Sequence, residues 1–333
     1  MLVLSQPAPL PARSAACIGA FDGLHRGHQE LLSRARVAQP HVALVTFTPH
    51  PMRVLAPERA PATLQTPRQR RRVARWLGLD AVVELPFDTE VSQLSPTAFV
   101  DRYLHGGLQP STVVVGEDFR FGHRRAGTIP LLRTMLAANS VPLEIVSKVL
   151  DAEGSKLGSS VIREHLRRGE VEPACAILGR PHCVEGRVVP GAQRGRRLGF
   201  PTANLESDGA MLPGRGVYAV CAQITNPGHP RCGRRFSAVA NIGTNPTFAA
   251  DAPTHARLEV HLLEAAPDLS LYDQWLEVAF VARIRDEQKF EGEAELAAQI
   301  GRDISRAESL LASLATIPFA PPHADDEQGT PTA

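Results

Sequence analysis

Residues 15–28 read Ala15-Ala16-Cys17-Ile18-Gly19-Ala20-Phe21-Asp22-Gly23-Leu24-His25-Arg26-Gly27-His28. The first four residues are a short apolar run that predicts a strand, and Gly19 ends it. From Gly27 to about Val37, apolar residues recur at helical spacing, so a helix should follow. A strand that passes directly into a helix predicts an open α/β sheet, in which ligands bind at the carboxyl ends of the strands.

The turn between this strand and helix has the chemistry of a phosphate site. Glycines let backbone N–H groups approach a phosphate, and a helix N-terminus favours negative charge. Two histidines three residues apart can donate hydrogen bonds to a polyphosphate. A glycine turn with two surface histidines is the simpler interpretation, but the position at the end of a strand favours a ligand site. Its candidate residues are Gly19, Phe21, Asp22, Gly23, His25, Gly27 and His28.

Strand and helix signals alternate up to about residue 180. Strands are predicted at 41–47, 81–85, 112–115 and 143–146, and helices at 68–77, 95–104, 129–138, 159–168 and 171–178. Strands separated by helices predict a parallel sheet with helices on both faces. Helix 68–77 is rich in arginine, and its arginines are expected to form a solvated face.

A second candidate anion site opens a later helix, at Lys156-Leu157-Gly158-Ser159-Ser160-Val161-Ile162-Arg163. Serine hydroxyls at a helix N-terminus can bind an anion, and an arginine can bind phosphate with two hydrogen bonds. The alternative is an ordinary serine cap followed by a surface arginine.

Composition limits the classes of function. The chain has 333 residues, with 36 basic and 35 acidic side chains, so it lacks the basic excess typical of nucleic-acid binding. None of its three lysines follows a glycine, which excludes the phosphate loop of P-loop enzymes. No apolar run approaches the ~20 residues that cross a bilayer, so no membrane association is expected. Five scattered cysteines without a C-x-x-C pair predict thiols in a cytoplasmic protein rather than a zinc site.

The pattern changes after residue 180. Short strands are predicted at 183–189, 217–224, 236–242, 258–263 and 276–282, separated by turns rich in glycine and proline. No helix signal intervenes, so this half should be an antiparallel barrel or sandwich, and an amphipathic helix is predicted from Glu293 to about Leu314. The predicted domains are therefore 1–180 and 181–315. Residues 316–333, with four prolines and several charges, are expected to form a disordered tail.

A long basic segment joins two of these strands and reads Gly191-Ala192-Gln193-Arg194-Gly195-Arg196-Arg197-Leu198-Gly199-Phe200-Pro201-Thr202-Ala203-Asn204. It suits a mobile flap over phosphates, and Thr202 and Asn204 offer oxygen ligands for magnesium. An exposed loop with arginines for solubility is the alternative. Further on, Glu259 alternates with apolar residues; if its face lines the mouth of a barrel, it could take a proton from an alcohol. Otherwise it is a solvent-facing strand residue.

The first half resembles a known family. The motif G-x-F-D-G-x-H-x-G-H over residues 19–28 resembles the HxGH nucleotidyltransferases, and residues 46–51 (TFTPHP) and 115–122 (VGEDFRFG) are similar to the FMN adenylyltransferase half of the bacterial bifunctional riboflavin kinase/FAD synthetase family. The resemblance implies that His25 and His28 hold the ATP phosphates and stabilise the transition state. It also implies that Ser160 and Arg163 grip the triphosphate from the opposite side. Other implied contacts with the ligand are His50, Asp118, Ser159 and Asp22, although Asp22 is equally well explained as a turn residue.

One departure from the family pattern concerns the serine segment. The family usually has serine at the position of Gly158 and threonine at the position of Ser160. Ser160 keeps a hydroxyl and Gly158 loses one, so Arg163 is a firmer candidate than either serine.

The second half is similar to the riboflavin kinase module of the same family. The similarity rests on G-x-x-x-G-x-x-L-G-F-P-T-A-N at 191–204, Gly216-Val217-Tyr218, the segment 241–247 (NIGTNPT), Leu258-Glu259-Val260-His261-Leu262 and 283–290 (RIRDEQKF). It implies a six-stranded antiparallel barrel with a C-terminal helix. It also implies Thr202 and Asn204 on Mg-ATP, Glu259 as base for the ribityl 5′-hydroxyl, and a nucleotide-binding flap at Gly191, Gly195, Gly199 and Pro201.

Together the resemblances predict a Rossmann-like nucleotidyltransferase domain followed by a riboflavin kinase barrel. The barrel should phosphorylate riboflavin to FMN and the first domain should adenylate FMN to FAD, with ATP as co-substrate and Mg²⁺ as cofactor. Two alternatives remain: a kinase whose first domain has decayed, as at Gly158, and a flavin-sensing protein without turnover. His28 and Glu259 argue against a sensor, because binding alone requires no base.

Overall fold

The computed structural model describes residues 1–150, 154, 156–191, 194–207, 209–243, 257–263 and 269–312, with the backbone alone at 194 and 196. The predicted tail at 316–333 lies outside these residues. By its contacts the chain divides into two units, Met1–Ala62 with Pro67–Gly158, and Thr63–Thr66 with the chain from Ser159 onwards. The predicted boundary between the adenylyltransferase and kinase domains, at residue 180, stays a prediction.

The first unit is built on a parallel sheet. Its strands are β1 (Leu2–Leu4), β2 (Ser14–Ile18), β3 (His41–Thr48), β4 (Ala81–Pro86), β5 (Thr112–Gly116) and β6 (Leu143–Val146), in the spatial order β1-β4-β3-β2-β5-β6. Every pairing is parallel. All five residues of β2 are buried, as expected for a strand covered on both faces. Strand order reverses between β2 and β5, the point where α/β sheets bind ligands.

The helices of this unit are α1 (Arg26–Ala38), α2 (Pro51–Leu55), α3 (Pro67–Trp76), α4 (Thr89–Ser92), α5 (Pro96–Phe99) and α6 (Ile129–Ala137). The helix predicted at 95–104 differs from the structure, since α5 passes into a π-helix at Val100–Leu108. Glycines allow this wide turn: a Cβ on Gly106 or Gly107 would come within 3.0 Å of the carbonyl oxygen five residues earlier. The strand β1, within the proline-rich start, was not expected.

The solvated arginine face predicted for α3 is wrong. Arg70 and Arg72 are 7% and 3% exposed. Arg70 Nη2 lies 2.7 Å from Glu84 Oε1 and 3.0 Å from Thr48 Oγ1, so α3 is fastened to the ends of β3 and β4. The buried Glu84 carboxylate gives Arg70 a partner inside the fold, which periodicity alone does not reveal.

The second unit is a closed barrel with helices around it. Its elements are α7 (Ser159–Arg168), α8 (Val171–Leu178), β7 (His182–Val189), α9 (Arg194–Arg197), β8 (Ala203–Ser207), β9 (Gly216–Ile224), β10 (Arg235–Gly243), β11 (Arg257–Leu262), β12 (Trp275–Arg285) and α10 (Glu293–Leu311). The barrel runs β10-β11-β8-β7-β12-β9, and all its pairings are antiparallel. The predicted fold class is therefore confirmed. Strand β8 falls within the segment that was expected to be loop.

Alternation along the barrel strands separates an inner from an outer face. In β10 and β11 every second residue, such as Ala240 and Val260, is buried, while Val239 and Glu259 are half-exposed. Helix α10 packs on Ala219, Val239 and Ala282, which marks their side as the outer face. Among the described residues, no helix is both long enough and apolar enough to cross a membrane.

Candidate functional site

The turn after β2 has several residues with positive φ angles, and the buried side chains of the turn hold them in this conformation. Phe21, Gly23 and Leu24 have φ values of 47°, 94° and 42°, in the left-handed region. Phe21 and Leu24 are nonetheless fully buried, and Thr46 Oγ1 donates a hydrogen bond of 2.9 Å to the carbonyl of Ala20. Strained backbone held by buried side chains is typical of ligand-binding turns.

The two histidines lie side by side at the start of α1. Their ring centroids are 3.7 Å apart with planes inclined by 22°, and the edge of Phe21 meets His28 at 5.0 Å. Gly19 and Gly27 give the rings room: a Cβ on Gly27 would lie 3.1 Å from the His25 ring, and one on Gly19 would lie 3.3 Å from Phe21, both tight contacts. The predicted cluster is thus assembled, with His25 as the residue that precedes the helix.

Asp22 is the one acid within this turn. It is only 6% exposed. Its assignment as a ligand contact or as a turn residue stays open.

Asp118 follows β5, next to β2 in the sheet. Lys156 Nζ lies 2.6 Å from Asp118 Oδ2, and this hydrogen bond lowers the pKa of the Asp118 carboxyl. The following residue, Leu157, brings its carbonyl oxygen 3.6 Å from where a Cβ on Gly27 would lie. The segment 156–157 therefore links the end of β5 to the first turn of α1. The sequence alone gives no sign that Lys156 belongs to the site, because its partner Asp118 lies 38 residues away in the chain.

His50 caps a short helix at the end of β3. Its ring nitrogen Nδ1 accepts a hydrogen bond of 3.2 Å from the Met52 N–H at the start of α2. The ring is thereby oriented at the carboxyl edge of the sheet, where the β2 turn also lies.

The serine segment belongs to the second unit. Ser159 is the first residue of α7, Ser160 is exposed, and Arg163 is buried in the same helix with 8% exposure. Their predicted grip on the triphosphate opposite the histidines stays a prediction.

In the barrel, strand register brings three polar residues into one row. Glu259 on β11 pairs with Asn204 on β8 and with Asn241 on β10. Directly opposite residues on antiparallel strands have Cβ atoms about 4.5–5.5 Å apart. The three side chains lie on the outer face of the barrel, opposite to the buried Leu258 and Val260, as the alternation predicts. Their place at the mouth of the barrel stays a prediction. Asn241 was missed as a candidate, because only strand register distinguishes it from other polar strand residues.

The environment of Glu259 suits a base. Partial burial raises the pKa of its carboxyl, and the nearby Arg257 opposes this shift in part. A carboxylate with a raised pKa binds a proton more strongly than an exposed one does.

The glycine-rich segment is more structured than expected. Helix α9 forms one turn within it, and the Phe200 N–H donates a hydrogen bond of 2.8 Å to the carbonyl of Gly195. A Cβ on Gly191 would overlap the Asn204 amide, and one on Gly195 would lie 3.3 Å from Thr202 Oγ1. Gly191 and Gly195 therefore leave space beside the side-chain oxygens of Asn204 and Thr202. Gly199 has a φ of 87°, and Pro201 and Thr202 are exposed.

The donor set near Asn204 fits a magnesium ion. Hydroxyl and amide oxygens are hard ligands, and a Glu259 carboxylate lies beside them in the row. Magnesium in kinase sites takes only one or two protein ligands together with phosphate oxygens and water. Thr202 and Asn204 therefore have the ligand chemistry for such an ion, and their role as its ligands stays a prediction.

The chain combines a glycine turn with two histidines on a parallel sheet and an antiparallel barrel with an acid beside two amide side chains. This arrangement is the one expected of an enzyme with two units that transfers groups from nucleotides. Family models support this class and make it specific: FAD synthetase matches residues 8–161 and riboflavin kinase matches residues 178–311. The chain belongs to the bifunctional riboflavin kinase/FMN adenylyltransferase family.

Individual relatives agree over nearly the whole chain. The bifunctional riboflavin kinase/FMN adenylyltransferase of Pseudomonas fluorescens is 37% identical over 301 residues, covering 89% of this chain and 93% of the relative. The protein of the same description from Bacillus subtilis (strain 168) is 34% identical over 302 residues, covering 89% and 92%. A crystal structure titled macrolide-efflux protein from Streptococcus pneumoniae has a TM-score of 0.79 at 29% identity, covering 92% of this chain and 99% of that chain.

Proposed function

We propose that the chain converts riboflavin to FAD in two ATP-dependent steps, with the residue roles given below. The barrel makes FMN and ADP from riboflavin and ATP, and the sheet unit makes FAD and diphosphate from FMN and ATP. The observation that carries this assignment of roles is the register of β8 and β11, which sets Glu259 beside Asn204.

In the kinase step Glu259 acts as general base. The ribityl 5′-oxygen attacks the γ-phosphorus of ATP, its proton passes to the Glu259 carboxylate, and the bond from the γ-phosphorus to the bridging oxygen of ADP breaks. Thr202 and Asn204 would hold the divalent ion, proposed to be Mg²⁺, which when bound offsets negative charge on the phosphates. The glycines at 191, 195 and 199 let the flap approach the nucleotide.

In the adenylyl step no side chain acts as nucleophile. An FMN phosphate oxygen attacks the α-phosphorus of ATP, and the bond to diphosphate breaks. His25 and His28 donate hydrogen bonds to the phosphates, and the rigid turn holds both rings in place before substrate binds. Arg163, with Ser159 and Ser160, is proposed to neutralise the leaving diphosphate. Asp118 orients Lys156 at the same edge of the sheet.

We propose the cytoplasm as the compartment of this enzyme. Support comes from its thiols: Cys17, Cys175, Cys183, Cys221 and Cys232 are all free, as is usual for proteins of a reducing compartment.

One incubation tests the proposed sequence of reactions against the two alternatives. The purified chain is supplied with riboflavin, ATP and MgCl₂, and the flavins are separated by chromatography. Accumulation of FAD is expected. FMN as the final product would indicate a decayed first unit, and unchanged riboflavin would indicate a flavin-binding protein without turnover. Omitting MgCl₂, or replacing it with CaCl₂, tests the proposed metal.

A further inference from the structure

His261 lies on the same outer face of β11 as Glu259, two residues further along. The register pairs Glu259 with Asn204 and Val260 with Ala203, where β8 begins. His261 follows these paired residues on β11, on the side of the chain that leads from Pro201 and Thr202 into β8. His261 has no role in the chemistry given above.

The side chain of His261 contacts the residue that precedes Thr202. Its Nδ1 lies 2.8 Å from the carbonyl oxygen of Pro201. A carbonyl oxygen only accepts hydrogen bonds, so Nδ1 carries the proton and donates it. The ring also meets Phe200 edge to face, with centroids 5.8 Å apart.

This hydrogen bond acts on a soft backbone torsion that helps to orient Thr202. The proline ring holds φ of Pro201 near −65°, so ψ is the remaining freedom of that residue. The ψ angle sets both the direction of the Pro201 carbonyl and the plane of the peptide that leads into Thr202. Because Pro201 and Thr202 are exposed, packing restrains that peptide little, and a donor aimed at the carbonyl supplies the restraint.

We propose that His261 is a positioning residue of the kinase: its Nδ1–H holds the Pro201–Thr202 peptide so that the Thr202 hydroxyl points at the metal–nucleotide complex. The proposal rests on the proposed role of Thr202. Losing one hydrogen bond of ordinary strength should weaken the productive placement of Mg-ATP by about five- to tenfold.

Two substitutions of His261 separate the effect of its Nδ1–H donor from the effect of its side-chain volume. His261→Leu keeps the volume and loses the donor, whereas His261→Asn places an amide N–H at the position of Nδ1. In the full-length chain, His261→Leu should raise the KM for Mg-ATP in the kinase reaction about five- to tenfold. The KM for riboflavin and the rate of FAD formation from FMN should stay within about twofold. His261→Asn should restore the KM for Mg-ATP to within about twofold of wild type.

His229→Leu is the matched control. His229 Nδ1 accepts a hydrogen bond of 3.0 Å from the Arg231 N–H in the turn between β9 and β10, at the end of β10 away from Asn241. This variant also loses one histidine–backbone bond, and its kinase constants should not change. A wild-type KM for Mg-ATP in His261→Leu, or equal defects in His261→Leu and His261→Asn, would overturn the proposal.

Thr202→Val distinguishes this inference from the role on which it rests. A raised KM for Mg-ATP in Thr202→Val with normal values in His261→Leu rejects the positioning role alone. A normal KM in Thr202→Val rejects the role of Thr202 and the inference with it. If Thr202→Val and His261→Leu each raise the KM for Mg-ATP, the double variant should have the same KM as Thr202→Val. The effects are not additive, because His261 acts through Thr202.

Discussion

At the scale of single residues, the adenylyl site depends on side chains that are held in place before any ligand arrives. His28 is stacked on His25 and touched by the buried Phe21, so its ring has little freedom to lose on binding. A donor already aimed at developing charge lowers a reaction barrier more than a mobile donor does.

We therefore expect His28→Ala to lower FAD formation from FMN by about 10²–10³-fold, the usual cost of one preorganised donor. FMN formation from riboflavin should persist, because it takes place on the barrel. The measurement is the initial rate with each flavin at saturating ATP. FAD synthesis at close to the wild-type rate would reject the role of His28.

Glu259→Gln should have the opposite pattern. The amide keeps the size of the side chain and its place between Asn204 and Asn241, but it cannot take the 5′-hydroxyl proton. FMN formation should fall by about 10²–10⁴-fold, and FAD should still form from added FMN. A kinase rate near wild type would mean that the base lies elsewhere.

The raised pKa of Glu259 also predicts a pH dependence. The base works when ionised, so kinase kcat/KM should decline on the acid side as pH falls through the pKa of this carboxyl. Because burial raises that pKa, the decline should begin at a higher pH than for an exposed glutamate. The adenylyltransferase rate of the same enzyme is the internal comparison, and an identical acid limb in both reactions would contradict the assignment.

Gly158→Ser tests whether the lack of the serine hydroxyl that the family usually has at this position lowers the adenylyltransferase activity. A Cβ on Gly158 would meet only Lys156 Cε, at 3.9 Å, so a serine fits without strain. If the first unit is fully active, FAD formation from FMN should change by less than about threefold. A gain of tenfold or more would favour decay at this position.

At the scale of elements, α10 is fastened to the barrel by one buried ion pair. Arg285 on β12 lies with Nε 3.0 Å and Nη2 2.7 Å from Asp303 Oδ2, and Asp303 is 3% exposed. Gln299 adds a hydrogen bond of 2.8 Å to the same carboxylate. Removing one partner of a buried pair leaves a charge without compensation.

We expect Arg285→Ala to lower the free energy of unfolding of the barrel by about 3–5 kcal/mol. Arg187→Ala is the matched control, because Arg187 is also a strand arginine of the barrel but pairs with Asp273 in solvent, where both side chains are more than half exposed. Its cost should be below about 1 kcal/mol. Urea unfolding followed by tryptophan fluorescence measures both, and equal effects would contradict the importance of burial.

At the scale of the whole molecule, α7 and α8 belong to the same unit as the barrel and not to the unit that contains the sheet. Helix α8 buries Val171, Ala174, Ile177 and Leu178, and Glu172 Oε1 accepts a hydrogen bond of 3.1 Å from the Arg283 N–H of β12. A barrel fragment that begins at Pro181 therefore loses apolar cover that one beginning at Ser159 retains.

Both fragments, extended to the end of the chain, should phosphorylate riboflavin and neither should make FAD. The fragment from Ser159 should melt at least about 4 °C higher, since about 2 kcal/mol of lost burial lowers the Tm of a domain of this size by about 4–8 °C. Thermal unfolding monitored by circular dichroism decides this, and equal Tm values would place the boundary at residue 180, as the sequence predicts.

Much of this molecule follows from the local pattern of its chain. The apolar run before Gly19, the helices at 159–168 and 171–178 and most barrel strands agree with the structure within a few residues, because periodicity of apolar side chains reports the local backbone directly. The order of motifs also predicts two nucleotide-dependent activities and the family. These features depend on neighbours along the chain.

Other features exist only because distant segments meet. Three features depend on the register of separate strands: the pairing of Glu259 with Asn204 and Asn241, the position of that row on the outer face of the barrel, and the bond from His261 to Pro201. The sequence by itself determined the family, the candidate residues for the chemistry and the kind of element on which they lie. Only the tertiary structure decided which of them stand side by side, because strand register and burial are set by packing across the whole barrel.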